Sequence, residues 1–292
     1  MSIHHLRIFL CVTDEQSISK AANRLMISQP SVSQVIAELE RQYGVRLFDR
    51  IGKRIYITES GSYLARYARQ ITSMYDEMER GVASSEEKGL MRIGASLTVG
   101  STVLPELIIK MQIWLPSLQI RVVVKNTADI ERMLLSNELD LALVEGSIHS
   151  EDLRQEAVAE DEVALVCGKT HPLYEKQGMG KDDLNGIAVI LREQGSGTRE
   201  LFERTMIAHD LNWRLIWECA DSDGIVAPAL QGLGIGVIAK RLVERELNEG
   251  TLQCLAVEDI TFMRKFSLIA HKNKYFSPPM ELFMQIARNH FL

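Results

Sequence analysis

No uncharged apolar run among the 292 residues approaches the roughly 18 to 20 needed to span a bilayer, and the N-terminus has no basic-then-apolar leader pattern. The expectation is therefore a cytoplasmic protein with no membrane partner. Cysteine is scarce: Cys11, Cys167, Cys219 and Cys254 are scattered with neither CxxC nor metal-ligand spacing. Reduced, mostly buried thiols are expected, with no metal and no cofactor. The seven histidines fall into no Ser-His-Asp, Cys-His or metal-ligand grouping by spacing, so no catalytic residue is assigned. Excess positive charge is also missing. A net charge of −6 argues against a protein that coats nucleic acid, while a 46% apolar content suffices for the cores of two or three domains.

The charge that is present is unevenly spread. Residues 1–70 hold ten Lys or Arg against six Asp or Glu, a balance of +4, which leaves −10 for the remainder. A basic module in an acidic chain is where phosphate contacts would concentrate.

Residues 17–41, SISKAANRLMISQPSVSQVIAELER, read as two helices joined by a tight corner. Ser17 is placed to cap a first helix with Ile18, Ala21, Ala22 and Leu25 on one face, and Ser28 to cap a second just before Pro30. On the second helix Val32, Val35, Ile36 and Leu39 repeat at i, i+3, i+4 and i+7 and turn to a core. Pro30, Ser31, Ser33, Gln34 and Arg41 point away. Short Ser and Gln side chains let a helix sit deep in a major groove, where Gln29 and Gln34 can present paired donor and acceptor groups to an adenine. A helical hairpin inside a larger fold is the plainer alternative. The next segment, VRLFDRIGKRIYITESG, favours the DNA reading: Arg50, Lys53 and Arg54 flank Gly52 as the basic tip of a short β-wing, placed to neutralise phosphate or enter a minor groove.

From HHLRIFLCVTDEQSISKAANRLMISQPSVSQVIAELERQYGVRLFDR through TESG, residues 1–69 resemble the winged helix-turn-helix of LysR-type transcriptional regulators in order, spacing and residue type. The resemblance extends more loosely over the whole chain. It implies a pseudo-palindromic double-stranded DNA partner, RNA polymerase as a further candidate partner, and self-association as a dimer or a dimer of dimers. The helix expected over residues 58–88, capped by Thr58, carries a stripe of Leu64, Tyr67, Ala68, Ile71, Met74, Tyr75, Met78 and Val82. At 1.5 Å per residue it is about 45 Å long, more than a small wing domain can cover. In the resembled family this linker helix packs antiparallel against its copy.

After the polar joint SSEEKGL at 84–90 the pattern becomes alternating strands and helices. MRIGAS, LQIRVVVKN and DLALVEG read as strands with helices at 103–115 and 128–139 between them. EVALVCG, GIAVILRE, LIWECA and GIGVIA follow as strands, with helices at 198–210 and 223–233. FSLIAHK is a returning strand, and 276–292 a last helix. Such βα units imply a largely parallel sheet whose ligands collect at the carboxyl ends of the strands, so loops at 96–101, 126–128 and 145–148 should share one rim.

The fold expected is thus α/β: a winged helix-turn-helix at 1–58, a linker helix at 59–89 and a two-lobed effector domain at 90–292. The latter resembles the periplasmic-binding-protein-like domain of LysR-type regulators, with lobe I at 90–160 plus 266–292 and lobe II at 161–265. Peroxide-sensing members use two nearby cysteines there, and no such pair stands close in this sequence.

LREQGSGTRELFERTM at 191–206 is the sharpest chemical signal outside the DNA-reading segment. Gly195 and Gly197 let the backbone turn its N–H groups inward, Ser196 and Thr198 add hydroxyls at a helix start, and Arg199 adds positive charge. Ser96, Thr98 and Ser101 face it from the other lobe, with Thr127 in the N-T turn of KNTADI. These residues are the candidate site for a small anionic metabolite. A helix cap alone is the plainer reading. The segment resembles the E-x-G-S-G-T-R stretch of a LysR branch that includes Calvin-cycle and sulfur-assimilation regulators, which implies a phosphorylated or sulfur oxyanion or a carboxylate. Leu97 departs from that branch, where a small polar residue is expected, and leaves the effector's identity open. Two-lobed anion sites also occur in transferases and dehydratases. Asp221 and Asp223, the acid pair nearest the cleft, fit helix caps better than catalysis.

Overall fold

A computed structural model of the chain describes residues 1–51, 54–83, 89–176 and 178–291. Its contacts divide it into two compact units, residues 1–89 with 135–137, and residues 90–134 with 138–292.

In the first unit, α1 (Ile3–Glu15), α2 (Ile18–Leu25) and α3 (Gln29–Tyr43) precede a hairpin of β1 (Phe48–Ile51) and β2 (Arg54–Ile57), and α4 (Glu59–Ala83) follows. Local chemistry sets the boundaries. The Lys20 amide donates to Ser17 Oγ at 3.3 Å, and the Ser31 amide to Ser28 Oγ at 3.2 Å, so both expected caps satisfy an amide that a helix start leaves orphaned. Met26 closes α2 in the left-handed region with φ 55°, making the corner before α3. Leu6, Phe9, Val12, Ala21, Val32 and Leu39 form the shared core, and the Phe9 and Phe48 rings, 5.4 Å apart, tie the base of the wing to it. Thr58 Oγ1 accepts from the Gly61 amide at 3.0 Å at the start of α4. A β-carbon on Gly61 would stand 2.2 Å from the Leu47 carbonyl oxygen, so only glycine lets α4 pass this close to the wing.

The stripe expected on α4 divides between two directions. Ala68 is buried with Ala65 and Thr72, whereas Tyr67, Ile71, Met74 and Met78 are exposed and Tyr63 joins them. The side chain of Val82 lies outside the described residues, as do residues 84–88 of the joint.

The second unit contains β3 (Leu90–Ala95), α5 (Leu97–Thr102), α6 (Leu104–Trp114), β4 (Gln119–Val124), α7 (Thr127–Leu135), β5 (Leu141–Glu145), β6 (Leu153–Gly168), β7 (Ile187–Arg192), α8 (Gly197–Ala208), β8 (Trp213–Cys219), α9 (Asp223–Leu230), β9 (Ile235–Ala239), α10 (Glu244–Asn248), β10 (Leu252–Cys254), β11 (Met263–His271) and α11 (Pro278–His290). The strands run in the order β4-β3-β5-β11-β6-β9-β7-β8, with β10 added on β6. The β3, β4 and β5 set is parallel, as is the β7, β8 and β9 set, while β6 and β11 are antiparallel to their neighbours.

Two long strands join the lobes. The sequence places the start of β6 at 162, but the strand begins at Leu153, because residues 154–160, with Arg154, Gln155, Glu156 and Glu160 around Ala157, Val158 and Ala159, are exposed or half-exposed against β11 and lack apolar alternation. The expected crossing near 160 is β6, which pairs with β11 over Leu153–Glu162 and with β9 over Val163–Val166. Of the crossing expected at 257–266 only the part from Met263 onward is strand, the start of β11, whose ladder with β6 is bulged between Phe266 and Ser267. The loop expected at 96–101 is instead the cap and most of α5, whose first turn closes through the Gly100 amide on the Ser96 carbonyl at 2.8 Å. The short α10 and β10 have no counterpart in the sequence reading. Lobe I packs around Ile93, Leu107, Met111, Phe266 and Phe283. Lobe II has a core on each sheet face, one around Val189, Leu191 and Phe202, the other around Val166, Ile190, Ile225 and Ile238.

Candidate functional site

On α3, Ser28, Gln29, Pro30, Ser31 and Gln34 are exposed and Ser33 is half-buried, opposite the buried Val32, Ile36 and Leu39. Gln29 Oε1 accepts from Ser19 Oγ at 3.2 Å, which fixes its amide against α2. The backbone of Arg50 and Arg54 lies in the antiparallel hairpin, where Arg50 pairs with Ile55 and Arg54 with Ile51. Lys53 and Gly52 lie outside the described residues, as do the side chains of Arg50 and Arg54.

Between the lobes the centre of the arrangement is Arg264, on the part of β11 that crosses from one lobe to the other. Its Nη2 donates to Thr98 Oγ1 in α5 at 3.1 Å and its Nη1 to Thr198 Oγ1 in α8 at 2.8 Å, so one guanidinium joins both lobes. Nε and Nη2 both lie 2.7 Å from Asp161 Oδ2. Asp161 accepts in turn from Arg241 Nε at 2.6 Å, and the Arg241 guanidinium lies over the Phe266 ring. Glu145 Oε1 is 3.7 Å from Arg264 Nη1, too long for a hydrogen bond. Burial pushes the Glu145 carboxyl above its ordinary range. Arg264 opposes that rise, Asp161 adds to it and a hydrogen bond with Thr98 reduces it.

Ser96, Thr98, Thr127, Ser196, Gly197 and Thr198 are brought together and buried. Ser96 Oγ donates to Glu145 Oε2 and accepts from the Glu145 amide, and Thr127 Oγ1 donates to the Glu145 carbonyl at 2.9 Å. These two hydroxyls therefore hold the end of β5 in place. Gly195, at φ +88°, gives its carbonyl to the Ala128 amide across the lobes at 3.1 Å. Asn126 Nδ2 reaches Glu193 Oε1 at 3.1 Å. Burial acts to raise the Glu193 carboxyl, but Arg192 and Asn126 outweigh it and hold the group below the usual carboxylate range.

Two expected residues are placed differently. Arg199 is turned away from the cleft, because Glu203 at 2.7 Å, Glu218 at 2.5 Å and the Arg192 carbonyl at 3.2 Å already take its donors. Burial opposes its charge, but those two carboxylates outweigh that and raise its pKa. Ser101 is exposed, since the helical path of α5 carries it outward. Arg264, Glu145 and Asp161 were missed, although a signal for Arg264 existed. In FMRKF, Phe262, Arg264 and Phe266 alternate at period two, which puts a charge on the buried face of a strand.

A cavity of about 340 Å³ opens between the lobes and is lined by Gly146, Ser147, Gly197, Arg204, Arg264 and Lys265, with Glu200 as its acid. Asp221 Oδ1 accepts from the Gly224 amide at 2.7 Å and so caps α9, as expected of it. Cys219 donates to the Leu191 and Asp221 carbonyls, and its thiol is pushed up by burial first and by Asp221 next, the opposite of a reactive thiolate. Among the described residues, no helix is long and apolar enough to cross a membrane, and no cluster of three or more His, Cys, Asp or Glu could hold a metal.

Comparison with known proteins gives two family matches. Residues 3–62 match the bacterial regulatory helix-turn-helix protein, lysR family, and residues 84–292 match the LysR substrate binding domain. The HTH-type transcriptional regulator YeiE of Escherichia coli K12 is 32% identical over 97% of this chain and 96% of its own. A probable RuBisCO transcriptional regulator of Porphyra purpurea is 30% identical over 97% and 92%. The regulatory domain of Synechocystis CcmR, solved in complex with 2-PG, superposes with a TM-score of 0.65 at 22% identity, covering 70% of this chain and 98% of that one.

Proposed function

Because the chain belongs to the LysR family of bacterial helix-turn-helix regulators, we propose that it reads a pseudo-palindromic duplex as a dimer or a dimer of dimers and answers to a small anion held between the lobes of its effector domain. The chain is a DNA-binding transcriptional regulator, as its relatives are, and not an enzyme. The proposed domains are a winged helix-turn-helix at 1–58, a linker helix at 59–89 and an effector domain at 90–292. Ser28, Gln29, Pro30, Ser31, Ser33 and Gln34 read the major groove, and Arg50, Lys53 and Arg54 meet phosphate or the minor groove. The exposed Tyr63, Tyr67, Ile71, Met74 and Met78 on α4 support pairing through that helix, since a stripe of this kind is covered by a partner in a stable assembly. A cytoplasmic location and contact with RNA polymerase go with this role.

One observation carries the anion: a buried arginine, Arg264, holds a hydroxyl from each lobe at once. An anion that takes those hydroxyls and that guanidinium gains contacts in both lobes only when they are closed, so it shifts the lobe equilibrium. Thr98 and Thr198 are its proposed contacts, with Ser96, Thr127, Gly195, Ser196 and Gly197 shaping the site. The 2-PG bound by the CcmR domain is a ligand of this chemical kind. Duplex binding by the full chain, measured against rising salt with and without 2-PG, tests the reading. A steep fall in affinity with salt and a preference for a dyad sequence that changes with 2-PG support it. Equal binding to every duplex counts against it.

A further inference from the structure

We propose that the cavity of about 340 Å³ between the lobes is a site for a small organic dianion, whose two acidic groups are taken by Arg204 and Lys265. The proposal does not depend on the hydroxyl pair of Thr98 and Thr198, neither of which lines this cavity.

Strand geometry sets the two places apart. Met263, Arg264 and Lys265 alternate exposed, buried and exposed at the start of β11, so the Lys265 side chain leaves the strand on the face opposite to the Arg264 guanidinium. The walls come from both lobes. Ser147 and Ile148 after β5 and Gln155 of β6 stand on one side, and α8 on the other, where Gly197, Leu201 and Arg204 share one helix face at i, i+4 and i+7.

The two cations on these walls meet no carboxylate. Lys265 makes no ion pair or hydrogen bond among the described residues, although Glu160 stands opposite it in the ladder with β6. Arg204 has one contact, Nη1 to Ser147 Oγ at 3.5 Å across the lobes, at the outer limit for a hydrogen bond. The other charges of the cavity are already matched: Arg264 by Asp161 at 2.7 Å, and the acid Glu200 by His149 Nε2 at 3.3 Å. An unmatched pair of cations in a concave site attracts acids more strongly than the same pair on a flat surface. Ile148, Leu201 and Met263 make the rest of the wall apolar, which an inorganic ion would leave uncovered. The volume lies at the lower end of the range of about 300 to 1,000 Å³ for small-molecule sites. A short carbon body with an acidic group for each cation meets all of these conditions. Bound there, it ties α8 to lobe I where only the long contact between Arg204 and Ser147 now does, and so favours the closed lobes.

Titration calorimetry on the full chain with succinate and succinamate tests this, since the two probes differ only by one carboxylate turned into an amide. Expected for the wild type is a succinate Kd below about 1 mM, with succinamate weaker by about tenfold, the loss of one charge-assisted contact. Arg204→Gln and Lys265→Gln, both at exposed positions, should each weaken succinate by about tenfold and bring the two probes within about threefold of each other, with unfolding midpoints unchanged. That loss of discrimination is a change that a merely structural role would not produce. No succinate binding by the wild type, equal affinities for the two probes, or variants that bind both probes as the wild type does would each overturn the proposal. All three leave the proposed function standing, because the duplex titration with 2-PG tests it separately.

Discussion

Gly146 and Gly197 meet backbone to backbone where the two lobes touch, and a β-carbon on Gly146, itself at φ +95°, would stand 2.9 Å from the Gly197 Cα. Nothing larger than hydrogen fits between β5 and the start of α8, so the closed arrangement of the cleft depends on both positions.

Gly197→Ala is therefore expected to separate the lobes. Its β-carbon would meet the Glu145 carbonyl oxygen at 2.6 Å, backbone that cannot yield without moving β5. A loss of about 1 to 3 kcal/mol is the usual cost of such overpacking. Urea unfolding gives the stability, and small-angle scattering should show a more open effector domain. Unchanged stability and scattering would contradict the contact.

Asp140 supports lobe I through a buried charge cluster. Its carboxylate accepts from the Arg92 amide and side chain at 2.7 Å and from Lys274 Nζ at 2.8 Å. Burial acts to raise the carboxyl, but Arg92 and Lys274 outweigh it and hold it below its ordinary value. A depressed acid contributes stability that is present above its unfolded pKa and lost as pH falls through the folded one. Asp140→Asn should cost about 3 kcal/mol near neutrality, since it strands two cations. The gap from wild type should shrink below about pH 4, where the unfolded carboxyl takes up its proton. A gap that is constant with pH would mean that packing, not charge, is responsible.

The exposed stripe of α4 gives a prediction about assembly. Met74→Glu places a charge on it without touching Ala65, Ala68 or Thr72 on the buried side. Sedimentation should show a lighter species while thermal unfolding of the monomer stays within about 0.5 kcal/mol, as for a surface change. Retention of the wild-type mass would remove α4 from the pairing surface.

Gln34 offers a complementary test on the DNA side. Gln34→Leu keeps the helix and removes both hydrogen-bonding groups from an exposed position. Discrimination between the preferred dyad and a version altered at the contacted base should fall by about 1 to 3 kcal/mol, with the salt slope and the oligomer mass unchanged. A changed salt slope with intact discrimination would assign Gln34 to the phosphate backbone instead.

Which of these features could be read in advance follows from how far each depends on neighbours in sequence. Ser17, Ser28 and Thr58 act on amides three residues away, so the caps of α2, α3 and α4 were legible. So was the apolar face of α3, which repeats with the helix period. Arg199 was misplaced because its partner Glu218 comes from β8, and no local pattern announces that pairing. Arg264 and Glu145 lie 119 positions apart and meet only once β5 and β11 pair, so the buried charge of the cleft became visible in three dimensions. The start of β6 was hidden for another reason, since a half-exposed strand carrying Arg154, Glu156 and Glu160 lacks the apolar alternation that marks a strand.

The coupling of the cleft to DNA is tested most directly by titrating 2-PG into the full chain bound to its preferred dyad duplex, at constant ionic strength, for wild type and Thr198→Val. Thr198→Val removes one hydroxyl from Arg264 and keeps the side-chain shape. Expected is a change in duplex affinity or bend with 2-PG in the wild type, weakened by about tenfold or more in ligand concentration for the variant, with ligand-free DNA binding the same in both. Identical titrations for the two proteins, or no response in either, would contradict an anion-controlled cleft centred on Arg264.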